Sequence, residues 1–167
     1  MYKKLSVLIP VYNERFTIRA CLDAVLNANI GNLEMEVIIS DNNSNDGTKE
    51  ILNNINDKRV KILYREKNDG KGANIKNALK EASGDLILFQ DGDLEYSPDD
   101  YLTLLDPFFS YKADVVYGSR LTRAKATAIV GFPNYIGNII FTFVANFLFN
   151  KIFTDIATGY KVFKKEI

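Results

Sequence analysis

Two rhythms of apolar residues alternate along the chain. One is a short unbroken run: Leu5 to Ile9, Met35 to Ser40, Val60 to Tyr64, the stretch from Leu86, and Ala113 to Gly118. Runs of this length, rich in Val, Ile and Leu, predict strands, and the continuous run from Leu86 is long enough for one buried on both faces. The first is expected to end at Pro10, which has no N–H for a ladder. The other rhythm is helical. Ile18, Leu22, Val25 and Leu26 repeat at helical spacing, with Asn13 as the expected N-cap. Ile51, Leu52 and Ile55 mark a second helix, and Ala73, Ala78, Leu79 and Ala82 a third that Ser83-Gly84-Asp85 ends. Ser97 is expected to cap a fourth, with Pro98 at its first position. Strands that alternate with helices predict an α/β domain with a mostly parallel sheet covered on both faces.

Polar residues gather where the strands stop. The run from Leu86 ends abruptly in acids at alternate positions, Asp91, Asp93 and Glu95, with Gly92 between the first two. Gly92 is read as a site of tight turning or close ligand approach. The second strand stops at Asp41 and enters the polar loop Asn42 to Thr48, and Ala113 to Gly118 leads into Ser119-Arg120. In a parallel sheet these ends lie along one edge, where open α/β sheets bind ligands. Clustered carboxylates repel one another unless a cation sits among them. Mg²⁺ or Mn²⁺ shared with a substrate diphosphate would meet that need. The plain alternative is an acidic turn before a helix. The loop Asn68-Asp69-Gly70-Lys71-Gly72 opens a helix but matches neither G-x-x-x-x-G-K-[ST] nor G-x-G-x-x-G.

The pattern changes after Arg120. Leu121 to Phe132 has no clear period and reads as a loop. Pro133 to Phe153 is dense in aliphatic and aromatic residues, yet Asn138, Thr142, Asn146 and Asn150 recur four residues apart and would form one slowly drifting polar stripe. A span this apolar is either interior or faces lipid. The repeated Asn residues argue against a lone transmembrane helix. An interfacial helix or helix pair is expected, with ordinary core or subunit contact as the alternative.

Composition narrows the chemistry. Lys and Arg number 21 and Asp and Glu 21, so no global basic field for nucleic acid exists. The absence of histidine excludes a Ser-His-Asp triad and any His-ligated zinc. A single cysteine, Cys21, rules out an intrachain disulfide, and the short N-terminal apolar run is not a signal-peptide core. A cytoplasmic location is expected.

The ordered set Ile9-Pro10-Val11-Tyr12-Asn13-Glu14, Asp41 to Thr48, Gly70-Lys71-Gly72-Ala73 and Asp91-Gly92-Asp93 resembles the family 2 glycosyltransferases, which have the GT-A fold. Gln90 to Pro98, Gly118-Ser119-Arg120 and Asp155-Ile156-Ala157-Thr158-Gly159-Tyr160-Lys161 narrow the resemblance to the polyprenyl-phosphate branch, which includes dolichol-phosphate mannose synthases. It covers nearly the whole chain. It implies a three-layer α/β sandwich, with a nucleotide-sugar core over 1–120 and an acceptor-side segment over 121–167. It implies that Pro10, Tyr12, Glu14 and Asp41 hold the nucleoside, with Ile39, Lys71, Gln90 and Gly92 in the same nucleotide set. Asp91 and Asp93 would bind metal and diphosphate, and Glu95 would add a metal ligand. Arg120 and Lys161, with Arg123 as a further candidate, would meet phosphates of donor or acceptor. Asn42 stands where relatives often carry a second aspartate, and Lys161 where arginine is frequent, which keeps the charge but loses the bidentate fork. Many relatives continue beyond this C-terminus, so a fragment or short form is expected.

The implied partners are a UDP- or GDP-sugar and a lipid phosphate at the inner membrane face, with a homo-oligomer also open. The implied reaction is single displacement with inversion. An anionic acceptor needs no general base, whereas a saccharide hydroxyl would, and Asp155 is the nearest candidate. Three other readings stay open. A sugar-phosphate nucleotidyltransferase would need a Gly- and Arg-rich loop where Pro10 to Glu14 stand. A receiver-type domain would carry its acid pair after the first strand. A transferase lacking activity would bind nucleotide and dock on a membrane.

Overall fold

The computed structural model describes residues 2–119 and 132–167. Six strands form one sheet: β1 (Lys4–Val11), β2 (Glu34–Asp41), β3 (Val60–Tyr64), β4 (Leu86–Phe89), β5 (Val115–Tyr117) and β6 (Lys161–Lys164), in the spatial order β3-β2-β1-β4-β6-β5. β1, β2, β3 and β4 pair in parallel. β6 runs antiparallel to both β4 and β5, so it alone is reversed. The helices are α1 (Ile18–Leu26), α2 (Thr48–Asn53), α3 (Lys71–Glu81), α4 (Tyr101–Ser110) and α5 (Phe132–Phe149), with a single 3₁₀ turn at Pro98–Asp100 before α4.

The central strand explains the layering. Alternate side chains of a strand point to opposite faces. Leu5, Val7, Ile9 and Val11 pack with Ile18, Leu22 and Val25 of α1 and with Leu104, Leu105 and Phe108 of α4. Leu8, on the other face, packs with Ile38, Ile87, Ala78 and Ala82. Two cores on two faces make a three-layer α/β sandwich.

The structure corrects several expectations. β1 runs through Pro10 to Val11. Val11 O accepts from Asn42 N on the β2 side, and Leu8 O accepts from Gln90 N on the β4 side. Pro10 shares the parity of Leu8, so its missing N–H falls just past the end of β4 and costs no ladder bond. Asn13 is not an N-cap. It lies in the left-handed region (φ 59°), and Thr17 takes the N-cap position of α1. Ser97 does cap its turn, its Oγ accepting from Asp99 N at 3.4 Å. β6 has no counterpart among the expected strands. The interval 121–131, expected as a loop, lies outside the described residues.

The polar stripe on α5 is a seam to the chain that follows it. Asn146 Nδ2 donates to Phe153 O at 2.9 Å, and Phe153 N donates to Asn146 Oδ1 at 2.7 Å. Ile156 N donates to Thr142 Oγ1 at 3.2 Å, and Asn138 Nδ2 donates to Asp155 Oδ1 at 2.8 Å. Asn150 instead takes a left-handed conformation (φ 48°) just past the helix end. The remaining surface of α5 is turned outward: Phe143 is 71% exposed, Phe147 80%, and Ile152 just beyond it 95%.

At the amino edge of the sheet, Glu36 of β2 ties β1 and the turn that leads into β4 together. Lys4 Nζ lies 2.7 Å from Oε2, Ser83 N donates to Oε1 at 2.6 Å, and Ser6 Oγ also donates to Oε1. Burial alone would push the Glu36 carboxyl up, but hydrogen bonds from Lys4, Ser6 and Ser83 outweigh it and hold its pKa at about 2, below the ordinary 4.5. A carboxyl held lower in the folded state contributes stability fully above its unfolded value and loses it as pH falls toward the folded one. Stability is therefore expected to decline from about pH 5 down to about pH 2, and Glu36→Gln to flatten that decline. Urea unfolding of both proteins at several pH values checks this, and identical slopes would refute it.

Candidate functional site

The carboxyl ends of β1, β2 and β4 meet at one edge of the sheet, as parallel strands require. Asp41 closes β2 and is 0% exposed. Its Oδ2 accepts from Ser44 N at 3.0 Å, while Oδ1 is buried with no hydrogen-bond partner. A buried acceptor without a donor is costly and calls for a partner, either a bound water or a ligand donor admitted when the loops covering it open.

The loop after β1 is stitched to the loop after β2. Asn13 N donates to Ser44 Oγ at 2.9 Å, Asn45 N donates to Asn13 Oδ1 at 3.0 Å, and Glu14 N donates to Thr48 Oγ1 at 2.9 Å. This holds Pro10 and Glu14, both half-buried, and exposed Tyr12 beside Asp41. Asn74 of α3 braces the same edge, donating to Ser40 O at 2.7 Å.

Past β4, Asp91 is half-buried and Asp93 exposed. Lys71, at the start of α3, places its Nζ 2.5 Å from Asp91 Oδ1. Gly92 and Asp93 form the turn after β4, without a positive φ at Gly92, and Leu94 follows in the left-handed region (φ 65°). Asp93 Oδ1 accepts from Glu95 N at 3.0 Å in that turn, and Glu95 is exposed. Among the described residues no three acidic or thiol side chains gather as a metal site, so Asp91, Asp93 and Glu95 do not form a ready-made cage. The donor set still fits an ion of the kind that keeps substrate phosphate and water among its ligands. A cation already stands at Asp91, in the form of Lys71.

Of the expected nucleotide set Ile39, Asp41, Gln90 and Gly92 are buried, and Ile39 and Gln90 serve the interior. Ile39 is 0% exposed in the α1-side core. Gln90 is 0% exposed, and both ends of its amide are engaged. Oε1 accepts from Tyr101 OH at 2.8 Å and Tyr160 OH at 3.0 Å, and Nε2 donates to Asp91 O at 2.9 Å. These residues shape the edge rather than line it. The sequence reading had no role for Tyr96, Tyr101 or Tyr160. Tyr160 stands within the Asp155 to Lys161 motif, which was the available signal.

The reversed strand β6 explains how the C-terminal motif reaches the acids. Val162 pairs with Leu88 and Lys161 with Tyr117, so the start of β6 lies at the carboxyl end of β4. Lys161 Nζ donates to Thr158 O at 2.8 Å and sits 5.3 Å from the Tyr117 ring centroid. Asp155 is 1% exposed and bonded to Asn138, which anchors α5. Arg120 and Arg123 lie outside the described residues.

Cys21 reports the charge gathered here. Burial, then the carboxylates of Asp93, Glu14 and Asp91, push its thiol up to about 12 from the ordinary 9.0. Thiolate is the reactive form. At pH 8 the folded chain should therefore react with iodoacetamide roughly a thousandfold more slowly than the urea-unfolded chain. Equal rates in the two states would refute this.

The doubly covered, mostly parallel sheet with acids at the ends of its strands is an α/β domain whose structural neighbours are GT-A glycosyltransferases. The model of the glycosyl transferase family 2 matches residues 6–167. The chain belongs to that family. It is 33% identical over 121 residues to the dolichol-phosphate mannosyltransferase of Pyrococcus furiosus, covering 72% of this chain and 34% of that one. It is 27% identical over 180 residues to the UDP-N-acetylglucosamine–dolichyl-phosphate N-acetylglucosaminyltransferase of Methanococcus voltae, covering 98% of this chain and 70% of that one. Among solved structures, glucosyl-3-phosphoglycerate synthase of Mycobacterium tuberculosis shares the fold at TM-score 0.73 and 20% identity, over 98% of this chain and 58% of that one. Mannosyltransferase PcManGT of Pyrobaculum calidifontis, in complex with GDP-Man and Mn²⁺, shares it at TM-score 0.65 and 19% identity, over 99% and 46%. The chain spans 34%, 30% and 15% of the length of three of the curated relatives it matches.

Proposed function

We propose that this chain is the donor-binding domain of an inverting glycosyltransferase that moves a sugar from a UDP- or GDP-sugar to a polyprenyl phosphate. One observation carries the reading: the unpartnered Asp41 Oδ1 and the Asp91–Lys71 pair share one sheet edge, offering an acceptor for a nucleobase N–H and a charged locus for a diphosphate. Uracil and guanine both present ring N–H donors, so Asp41 suits either nucleoside. Tyr12 and Glu14, on the loop stitched beside it, complete the nucleoside side.

Asp91 and Asp93 would hold Mg²⁺ or Mn²⁺ together with donor phosphate oxygens. That ion would supply positive charge where the leaving diphosphate becomes more negative. Lys71, on release from Asp91, would turn the same charge to the phosphates. The acceptor oxygen attacks the anomeric carbon as the bond to the diphosphate breaks. The nucleoside diphosphate departs and the anomeric configuration inverts. A lipid phosphate is anionic near neutral pH and needs no base. The burial of Asp155 and its bond to Asn138 favour that acceptor over a saccharide hydroxyl. Lys161, at the start of β6, stands on the acceptor side. The names of the Pyrococcus and Methanococcus relatives point to the same acceptor class.

The outward face of α5 fits a lipid surface. The sequence from Phe132 to Phe149 carries no charged residue, and Lys151 follows directly. No helix among the described residues is long and apolar enough to cross a membrane. An apolar helix of about 27 Å lying in the interface is consistent with both facts.

Titration of the protein with UDP and with GDP, with and without Mn²⁺, tests the donor site. One nucleotide is expected to bind in a Mn²⁺-dependent way. Asp93→Ala should weaken that binding at least about tenfold, as removal of a charged ligand group does. Asp41→Ala should weaken binding of the nucleoside itself. No binding of either nucleotide by folded protein would overturn the reading. Flotation with anionic vesicles tests the membrane face. The chain should float with the lipid, and Phe143→Ser with Phe147→Ser should leave it in the soluble fraction. Equal flotation of both proteins would exclude α5 as the contact.

A further inference from the structure

We propose that Tyr96 is a positioning residue for Asp91: it holds the turn at Thr158–Tyr160 against the Asp91 carboxylate and so fixes where that carboxylate meets a divalent ion. The proposal rests on the donor-site reading above. Tyr96 is 6% exposed, and its OH accepts from Gly159 N at 2.7 Å. Its ring packs on that of Tyr160, with centroids 4.7 Å apart. Gly159 is wedged between the two groups at issue. A Cβ there would stand 2.7 Å from Asp91 Oδ2 and 2.7 Å from Tyr96 Cε2. Its φ is not positive, so glycine is required by space and not by backbone conformation.

The contacts close a ring. Gln90 Nε2 reaches Tyr96 O at 3.4 Å, Tyr96 OH receives Gly159 N, and the next residue, Tyr160, donates its OH to Gln90 Oε1 at 3.0 Å. Asp91 sits within this ring. Its backbone O receives Gln90 Nε2, its Oδ1 faces Lys71, and its Oδ2 is backed by Gly159. When an ion replaces Lys71 at Oδ1, the Gly159 backing is what keeps the carboxylate from swinging back. A carboxylate free to turn must be ordered on binding, and that ordering weakens the complex. Tyr96 touches no reacting atom and acts through Gly159.

The test compares wild type, Tyr96→Phe and Gly159→Ala. The readout is calorimetric affinity for UDP or GDP in MnCl₂ and again in EDTA, with circular dichroism and thermal unfolding alongside. Tyr96→Phe keeps the ring and deletes one hydrogen-bonding group. It should lower the Mn²⁺-dependent affinity about three- to tenfold and leave the affinity in EDTA unchanged. Gly159→Ala should lower the Mn²⁺-dependent affinity further. If Gly159→Ala does not fold, Tyr96→Phe decides alone. Unchanged Mn²⁺-dependent affinity in Tyr96→Phe would overturn the proposal and leave the donor site standing. Equal losses with and without metal would overturn it in favour of a purely structural role. Absence of metal-dependent binding in wild type would remove the donor-site reading, and this proposal with it.

Discussion

A primary amide buried at the end of a strand must satisfy both of its ends inside the protein, and the arrangement around Gln90 follows from that requirement. Its carbonyl takes two tyrosine hydroxyls, one from α4 and one from the entry to β6. Its NH₂ holds the backbone of Asp91. The start of α4 and the entry to β6, the latter far away in sequence, are thereby fixed relative to one carboxylate. The burial of Tyr101, with Tyr160 beside it, pushes the Tyr101 hydroxyl well above its ordinary range. It is therefore a neutral donor near neutral pH. Around Gln90 the edge is set by neutral hydrogen bonds, while Asp91 and Lys71 pair with each other just beyond it.

β6 is the second condition. Because it runs against its neighbours, its first residue rather than its last arrives at the acidic edge. A polar segment from the end of the chain thus faces loops from the first half. The same reversal sets Lys161 near the carboxyl end of β4 and leads the chain from α5 straight into the site. α5 itself inverts the usual logic of an amphipathic helix. Its polar stripe faces the protein and its apolar residues face outward.

Much of this was legible in the sequence, for physical reasons. Strands read as unbroken apolar runs, and Val60–Tyr64 appears within the expected bounds, although the run from Leu86 is buried as a central strand while Val60–Tyr64 lies at the sheet edge and is partly exposed. The acids after β2 and β4 were legible because polar residues that abruptly end such runs have few places to go in a parallel sheet. β6 was not legible, because Lys161-Val162-Phe163-Lys164 is short and ends in lysines that read as a solvated face. The role of Gln90 was misjudged because an amide beside two carboxylates looks like a ligand group, and only burial shows otherwise. Asn13 looked like a helix cap because asparagine favours both caps and left-handed backbone, and tertiary bonds to Ser44 and Asn45 chose the latter. The Asn repeat on α5 was visible as a stripe, but spacing alone does not say which way a stripe faces.

The clamp between Asn146 and the backbone of Phe153 has a bearing on recombination between related chains. Side chains of the helix hold the backbone of the segment that returns from it, so the two behave as one inherited cassette. A crossover placed between residues 146 and 153 would separate a side-chain amide from the peptide group it was shaped to meet. A chimaera that exchanges 132–156 as a block keeps that fit, and can change the outward face without disturbing the acidic edge of the sheet.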